Sequence, residues 1–151
     1  MEIERKFLID EKAFDYTSYP YKDFTQGYLC TDPVVRVRRE GNEFFLTYKG
    51  GGKMVREEYN LPLNKEAFDH LIKKADGNII NKRRYFIPLD KYTVELDVFK
   101  PPFEPLIMAE VEFESVEEAN AFEMPSWFKK DVTHDSAYHN SNMSKMKLKP
   151  L

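Results

Sequence analysis

The residues with chemical potential in this chain come in pairs spaced two apart. Acidic pairs are Glu2-x-Glu4, Glu95-x-Asp97 and Glu110-x-Glu112; basic pairs are Arg36-x-Arg38 and Lys82-x-Arg84. Lys6 extends the first acidic pair, Lys49 stands two residues after Thr47, and Arg56-x-Glu58 mixes the signs. Guanidinium and ammonium groups in a ring suit a chain of anionic phosphate oxygens, with arginine binding two oxygens at once. Carboxylate pairs suit a hard divalent cation, Mg²⁺ or Mn²⁺, which bridges phosphate oxygens and acidifies bound water. Together they describe a site for a triphosphate, where catalysis is mainly positioning and charge stabilisation.

Other chemistries find little support. Cys30 is the single cysteine, so an intrachain disulfide is excluded, and a reducing cytoplasm is expected. His70, His134 and His139 have no partners at zinc-ligand spacing, and no nucleophilic triad can be assembled. Gly50-Gly51-Gly52 lacks the Gly-Lys-Ser/Thr ending of a P-loop. The net charge of −3 gives no overall basic field for nucleic acid. No N-terminal apolar segment reads as a signal peptide, and no apolar run is long enough for a membrane helix, so no membrane partner is expected.

A spacing of two puts side chains on one face of a strand, so each pair requires a strand behind it. Alternation predicts strands over 2–9, 24–30, 34–39, 44–49, 55–61, 79–87, 92–99 and 106–114. On the faces opposite the charges lie mainly Val, Leu, Ile, Phe and Tyr. Glu40-Gly41-Asn42-Glu43 predicts a hairpin turn. Asn64 predicts an N-cap for a helix to about Ala75, ended by Gly77-Asn78, with Ala67, Phe68, Leu71 and Ile72 on one stripe. Ser115-Val116-Glu117-Glu118 is a capping box for a short helix to about Phe122. Trp127-Phe128 reads as a core anchor, and the polar tail from Thr133 as a docked segment.

Two architectures satisfy this pattern. In a sandwich the apolar faces meet inside and the charges are solvated. In a closed barrel the charges line the interior and helices cover an apolar exterior. Three features favour the barrel: the signs are segregated by strand, charge repeats at i and i+2, and two amphipathic helices are available as cover. An outer-membrane barrel would need longer strands and an unbroken apolar outer band, which Arg5, Glu57 and Arg83 interrupt. The expected fold is α+β, mainly β: an eight-stranded antiparallel closed barrel with a few outer helices, as a single domain over residues 1–151.

Glu2-Ile3-Glu4-Arg5-Lys6 resembles the Glu-x-Glu-x-Lys signature of the CYTH superfamily, the triphosphate tunnel metalloenzymes. Arg36-x-Arg38, Thr47-x-Lys49, Arg56-x-Glu58, Lys82-x-Arg84-Tyr85, Glu95-Leu96-Asp97 and Glu110-Val111-Glu112 follow in the family's order. Gln26-Gly27-Tyr28-Leu29 and Trp127-Phe128…Val132-Thr133-x-Asp135…Tyr138-x-Asn140 resemble the short bacterial members.

The resemblance implies a tunnel binding a small-molecule triphosphate with a divalent metal. Glu2, Glu4, Glu110 and Glu112 would coordinate metal, with Asp97 and Glu95 as further candidates. Lys6, Arg36, Arg38, Lys49, Arg56, Lys82 and Arg84 would hold phosphates, and Glu58 would line the tunnel. Lys6, Lys82 and Tyr28 would orient or activate the attacking water. The implied activity is hydrolysis of inorganic tripolyphosphate to pyrophosphate and phosphate, by a monomer or homodimer. The alternatives are a class IV-type adenylate cyclase making cyclic AMP from ATP, a thiamine-triphosphatase, or a binding module without turnover. Asn60 departs from the pattern, standing where many relatives carry a further Glu; so do Lys129-Lys130 and Ala137 in the tail.

Overall fold

The computed structural model describes residues 1–146. Its strands are β1 (Glu2–Ile9), β2 (Tyr21–Thr31), β3 (Val34–Glu40), β4 (Glu43–Lys49), β5 (Val55–Arg56), β6 (Glu58–Leu63), β7 (Asp76–Leu89), β8 (Tyr92–Phe99), β9 (Ile107–Glu112) and β10 (Phe128–Asp131). The helices are α1 (Lys65–Ile72), α2 (Val116–Ala121) and α3 (Asn140–Met143), with a 3-10 turn at Ser136–Tyr138. Every strand pairing is antiparallel, in the order β10-β1-β9-β8-β7-β2-β3-β4-β6, and β5 pairs with β1.

The sheet curls into a nearly closed barrel. Closure depends on the stretch expected as one strand over 55–61. It divides at Glu57: Val55 and Arg56 pair with Ile3 and Glu2, while Glu58–Leu63 pairs with β4. Glu57 itself accepts from the Gly50 amide at 3.0 Å. One chain segment thus belongs to both edges of the sheet. Counting β5 and β6 as one stave gives the expected eight; β10 is an added short strand beside Phe7–Ile9.

Other boundaries shift for local reasons. Asn64 caps α1 as expected, its side chain accepting from the Ala67 amide at 2.7 Å. The helix ends at Ile72 rather than Ala75, because Lys74 and Ala75 bond back three residues and tighten the chain into a turn. Gly77, expected as the helix stop, instead lies inside β7 at φ +69°, a conformation that favours glycine. Ser115 caps α2 through its bond from the Glu118 amide at 3.1 Å.

The main core lies outside the barrel. Phe7, Tyr85, Ile87, Val94, Leu96, Val111 and Phe113 face outward and are covered by Ala119 of α2, Trp127, Phe128 and the connector residues Phe14, Tyr16 and Tyr19. Trp127 stacks on Phe14 with centroids 4.2 Å apart, confirming its anchoring place. The charges that interrupt the outer face are accommodated. Arg5 donates to the Ala119 and Phe122 carbonyls and pairs with Asp131; Arg83 pairs with Asp23 over the Tyr21 ring. A second apolar cluster closes part of the interior: Tyr28, Val34, Ile80, Phe99 and Met108 meet Met143 of α3 and Tyr138. Among the described residues no helix is long and apolar enough to cross a membrane.

Candidate active site

The barrel encloses a cavity of about 310 Å³. Strand alternation delivers the paired residues to it. Glu2, Glu4 and Lys6 enter from β1, Glu110 and Glu112 from β9, and Glu95 from β8. Facing them are Arg36 and Arg38 from β3, Lys49 from β4, Arg56 from β5, Glu58 from β6, and Lys82 and Arg84 from β7, with Tyr28 from β2. The segregation is sharper in space than along the chain. β1, β9 and β8 are neighbours and carry most of the acids; β7, β2, β3 and β4 follow around the barrel and carry most of the bases.

Asp97 stands apart from the other residues singled out. It does not line the cavity; it is fully buried behind it. One oxygen accepts from Arg84 Nε at 2.7 Å, and the other accepts from Arg84 Nη2 at 2.9 Å and forms an ion pair with Lys82 Nζ at 2.7 Å. Both oxygens are therefore committed to cations, which leaves no place for a metal between them as they stand.

Ion pairs run both within the walls and between them. Lys6 Nζ meets Glu110 at 3.2 Å and Glu4 at 3.8 Å. Lys49 Nζ joins Glu2 at 2.9 Å and Glu58 at 3.3 Å. Arg84 reaches Glu95 and Glu110 besides Asp97. Arg36 is different: it is 5% exposed, and its buried Nε has no hydrogen-bond partner among the described residues. A buried guanidinium N–H without an acceptor is a costly vacancy unless an anion fills it.

The charge balance shifts several protonation equilibria. Burial, then the charge of Glu4, pushes the Glu2 carboxyl up to about 8 against the pull of Lys49. Burial, Glu4 and Glu58 likewise raise Glu112. Burial also opposes ionisation of Glu58, but its hydrogen bond with Glu2 and the nearby Lys49 hold it low. Glu110 is held well below the usual range: burial opposes this, and Lys6 and Arg84 outweigh it. On the basic side, burial lowers Arg38 to about 10, helped by Arg36 and Arg84. Burial brings Lys82 down to about 7; Asp97 resists the fall, and Arg84 and Arg38 assist it. Burial is the leading cause of the shifts at Glu2, Glu112, Arg38 and Lys82, and crowding by like charges adds to it in spite of the ion pairs that Glu2, Arg38 and Lys82 make.

Several lining residues escaped the sequence reading. Lys22, Phe24, Phe45 and Phe86 share the inward face of strands already assigned, and extending the two-residue period would have found them. His139, Asn140 and Ser141 come from the tail, which has no strand period to reveal them. Their seat is built by long-range bonds. The Lys6 amide donates to Thr133 Oγ1 at 3.0 Å, His139 Nε2 lies 3.0 Å from the Thr133 carbonyl, and the Asn78 amide donates to the Ser144 carbonyl at 2.7 Å. Asn60 bridges Thr47 and Glu58. Lys129 and Lys130 lie exposed on β10 and Ala137 in the exposed 3-10 turn, away from the cavity.

A barrel with facing walls of buried acids and buried bases defines a polyanion-binding tunnel. The chain belongs to the CYTH family, whose domain model matches residues 1–147. It is 38% identical over 147 residues to an inorganic triphosphatase of Nitrosomonas europaea, covering 95% of this chain and 96% of that protein. It is 33% identical to an inorganic triphosphatase of Acetivibrio thermocellus, covering 95% and 93%. In three dimensions it is similar to the crystal structure of the inorganic triphosphatase NE1496, with a TM-score of 0.72 at 35% identity, covering 97% of this chain and 96% of that one. A putative adenylate cyclase from Bacillus halodurans shares the fold at a TM-score of 0.58 and 15% identity, covering 90% and 97%.

Proposed function

We propose that this chain is a divalent-metal-dependent hydrolase of inorganic tripolyphosphate, releasing pyrophosphate and phosphate. The observation that carries the reading is the wall of largely buried bases, with Arg36 Nε lacking an acceptor among the described residues, facing a wall of carboxylates of which Glu2, Glu4 and Glu110 are buried. The similarity to inorganic triphosphatases over nearly the full chain supports the same activity. The cyclase alternative rests on a likeness of fold alone.

Arg36, Arg38, Lys49, Arg56 and Arg84 hold the phosphate oxygens. Lys6 on the acidic wall and Lys82 on the basic wall orient the reacting phosphate and the attacking water. Tyr28 lines the cavity with them and joins in orienting or activating that water, its ring packed in the cluster with Val34 and Ile80.

The carboxylates suit Mg²⁺ or Mn²⁺, since all are oxygen donors, and burial and the neighbouring Glu4 make Glu2 and Glu112 harder to ionise without an added cation. Among the described residues no three of them converge tightly enough to form a complete cage. One or two carboxylates among Glu2, Glu4, Glu110 and Glu112 would hold the cation. It would supply charge neutralisation and an acidified water.

The test is phosphate release from tripolyphosphate with Mg²⁺ or Mn²⁺, with ATP and thiamine triphosphate run alongside. Fast release from tripolyphosphate, lost in Glu4→Gln, is expected. No release with either metal overturns the reading, and cyclic AMP from ATP replaces it with the cyclase.

A further inference from the structure

Two neutral amides sit among the buried charges. Gln26 of β2 and Asn140 of α3 are 0% and 6% exposed. Arg38 Nε donates to Gln26 Oε1 at 2.8 Å, Gln26 Nε2 donates to Asn140 Oδ1 at 2.8 Å, and Lys82 Nζ donates to the same Oδ1 at 3.0 Å. The chain of bonds therefore runs from one cavity cation to another through amides alone. Each end is also tethered by one carboxylate: Arg38 Nη1 by Glu40 at 3.1 Å, and Lys82 by Asp97, which it shares with Arg84.

We infer that Gln26 and Asn140 are positioning residues, a neutral relay that aims Arg38 and Lys82 at the substrate without adding a further negative charge to the one carboxylate each already meets. An amide oxygen accepts the donors that fix a cation's direction, whereas a carboxylate in the same place would also neutralise it. The relay spans β2, β3, β7 and the C-terminal segment, so seating that segment completes the alignment of two strands' cations. This rests on the triphosphatase reading for its substrate.

The discriminating variant is Asn140→Asp in the full chain. It keeps the oxygen that both donors use, and Asn140 Nδ2 donates to no partner among the described residues. The change adds charge and removes no bond. Tripolyphosphate affinity by calorimetry, steady-state hydrolysis with Mg²⁺ and thermal unfolding are measured together. The relay predicts a roughly tenfold weaker Kd and higher KM, the size of one charge-assisted hydrogen bond, with unfolding temperature not lowered. Asn140→Ala removes the acceptor instead and is expected to lose chiefly kcat, and Gln26→Ala added to it is expected to cost little more.

A tail that is merely docked predicts no effect of Asn140→Asp on binding, so affinity and KM within about twofold of wild type overturn the relay. If that variant does not fold, additive losses of kcat/KM in the Gln26→Ala and Asn140→Ala cycle overturn it. Wild-type protein that binds tripolyphosphate without cleaving it overturns the hydrolase reading alone, and the affinity comparison still decides the relay. Wild-type protein that neither binds nor cleaves overturns both.

Discussion

Asp97 and Arg84 face each other across β8 and β7 as a two-bond pair, Nε to one oxygen at 2.7 Å and Nη2 to the other at 2.9 Å. Arg84 lines the cavity and Asp97 is buried behind it, where the same carboxylate also meets Lys82. Removing its charge leaves two buried cations short of a counter-ion. Asp97→Asn is expected to destabilise the fold by about 3–5 kcal/mol, as breakage of a buried pair does. Urea unfolding checks this. A loss below about 1 kcal/mol, the range of exposed pairs, would contradict the anchoring role.

Lys82 makes stability depend on pH in a definite direction. Its folded value is about 7, against the ordinary 10.5 of the unfolded chain. Below 7 both states hold the proton, and the folded state bears the full penalty of a buried ammonium. Between 7 and 10.5 the unfolded chain binds more protons than the folded one, so this group's penalty is relieved as pH rises. The stability of wild type relative to Lys82→Met is therefore expected to rise from pH 7 to pH 9. Parallel urea-denaturation profiles for the two proteins would refute the depressed value.

Arg36 has the most to gain from an anion. Arg36→Ala is expected to weaken tripolyphosphate binding by roughly 10–100-fold, the worth of hydrogen bonds to a charged group. Arg36→Lys should restore only part, because lysine cannot bind two oxygens in a plane. Calorimetric titration at two salt concentrations measures both. Equal affinities for wild type and Arg36→Ala would place the substrate elsewhere.

Chelation of divalent cations is expected to abolish hydrolysis and to be reversed by adding Mg²⁺ or Mn²⁺. Glu4→Gln should keep the wild-type circular dichroism spectrum while requiring far more metal for half-maximal rate. Metal titrations of the rate separate this from a folding defect, and an unchanged half-saturation would remove Glu4 from the metal site.

Gly27 of β2 packs against the passage from α1 to β7. A Cβ there would lie 2.7 Å from Ala75 Cβ, 2.8 Å from Ile72 Cδ1 and 2.9 Å from Ile79 Cδ1. Gly27→Ala is expected to cost about 1–3 kcal/mol through overpacking. A melting temperature equal to wild type would mean that the helix end yields freely.

Side-chain parity was legible from residue types alone. Ile3 and Glu4 point to opposite faces because a strand alternates, and that local rule puts the charged residues of each pair on the inward face, Asp97 included, although Asp97 does not reach the cavity; Tyr28 is reached only through the family resemblance. Asn64 and Ser115 were legible as caps because a cap needs only its own next three residues. Neighbourhood was not legible. That Glu4 lies opposite Glu112, or that Val55 and Glu58 serve different edges, depends on closure between segments far apart in sequence. Glu95 and Asp97 share a face yet differ in role, since Arg84 lies directly across from Asp97 in the register and takes both its oxygens. Asn140 reaches Lys82 from 58 residues away through a tail with no strand period, so only the packed fold could bring it there.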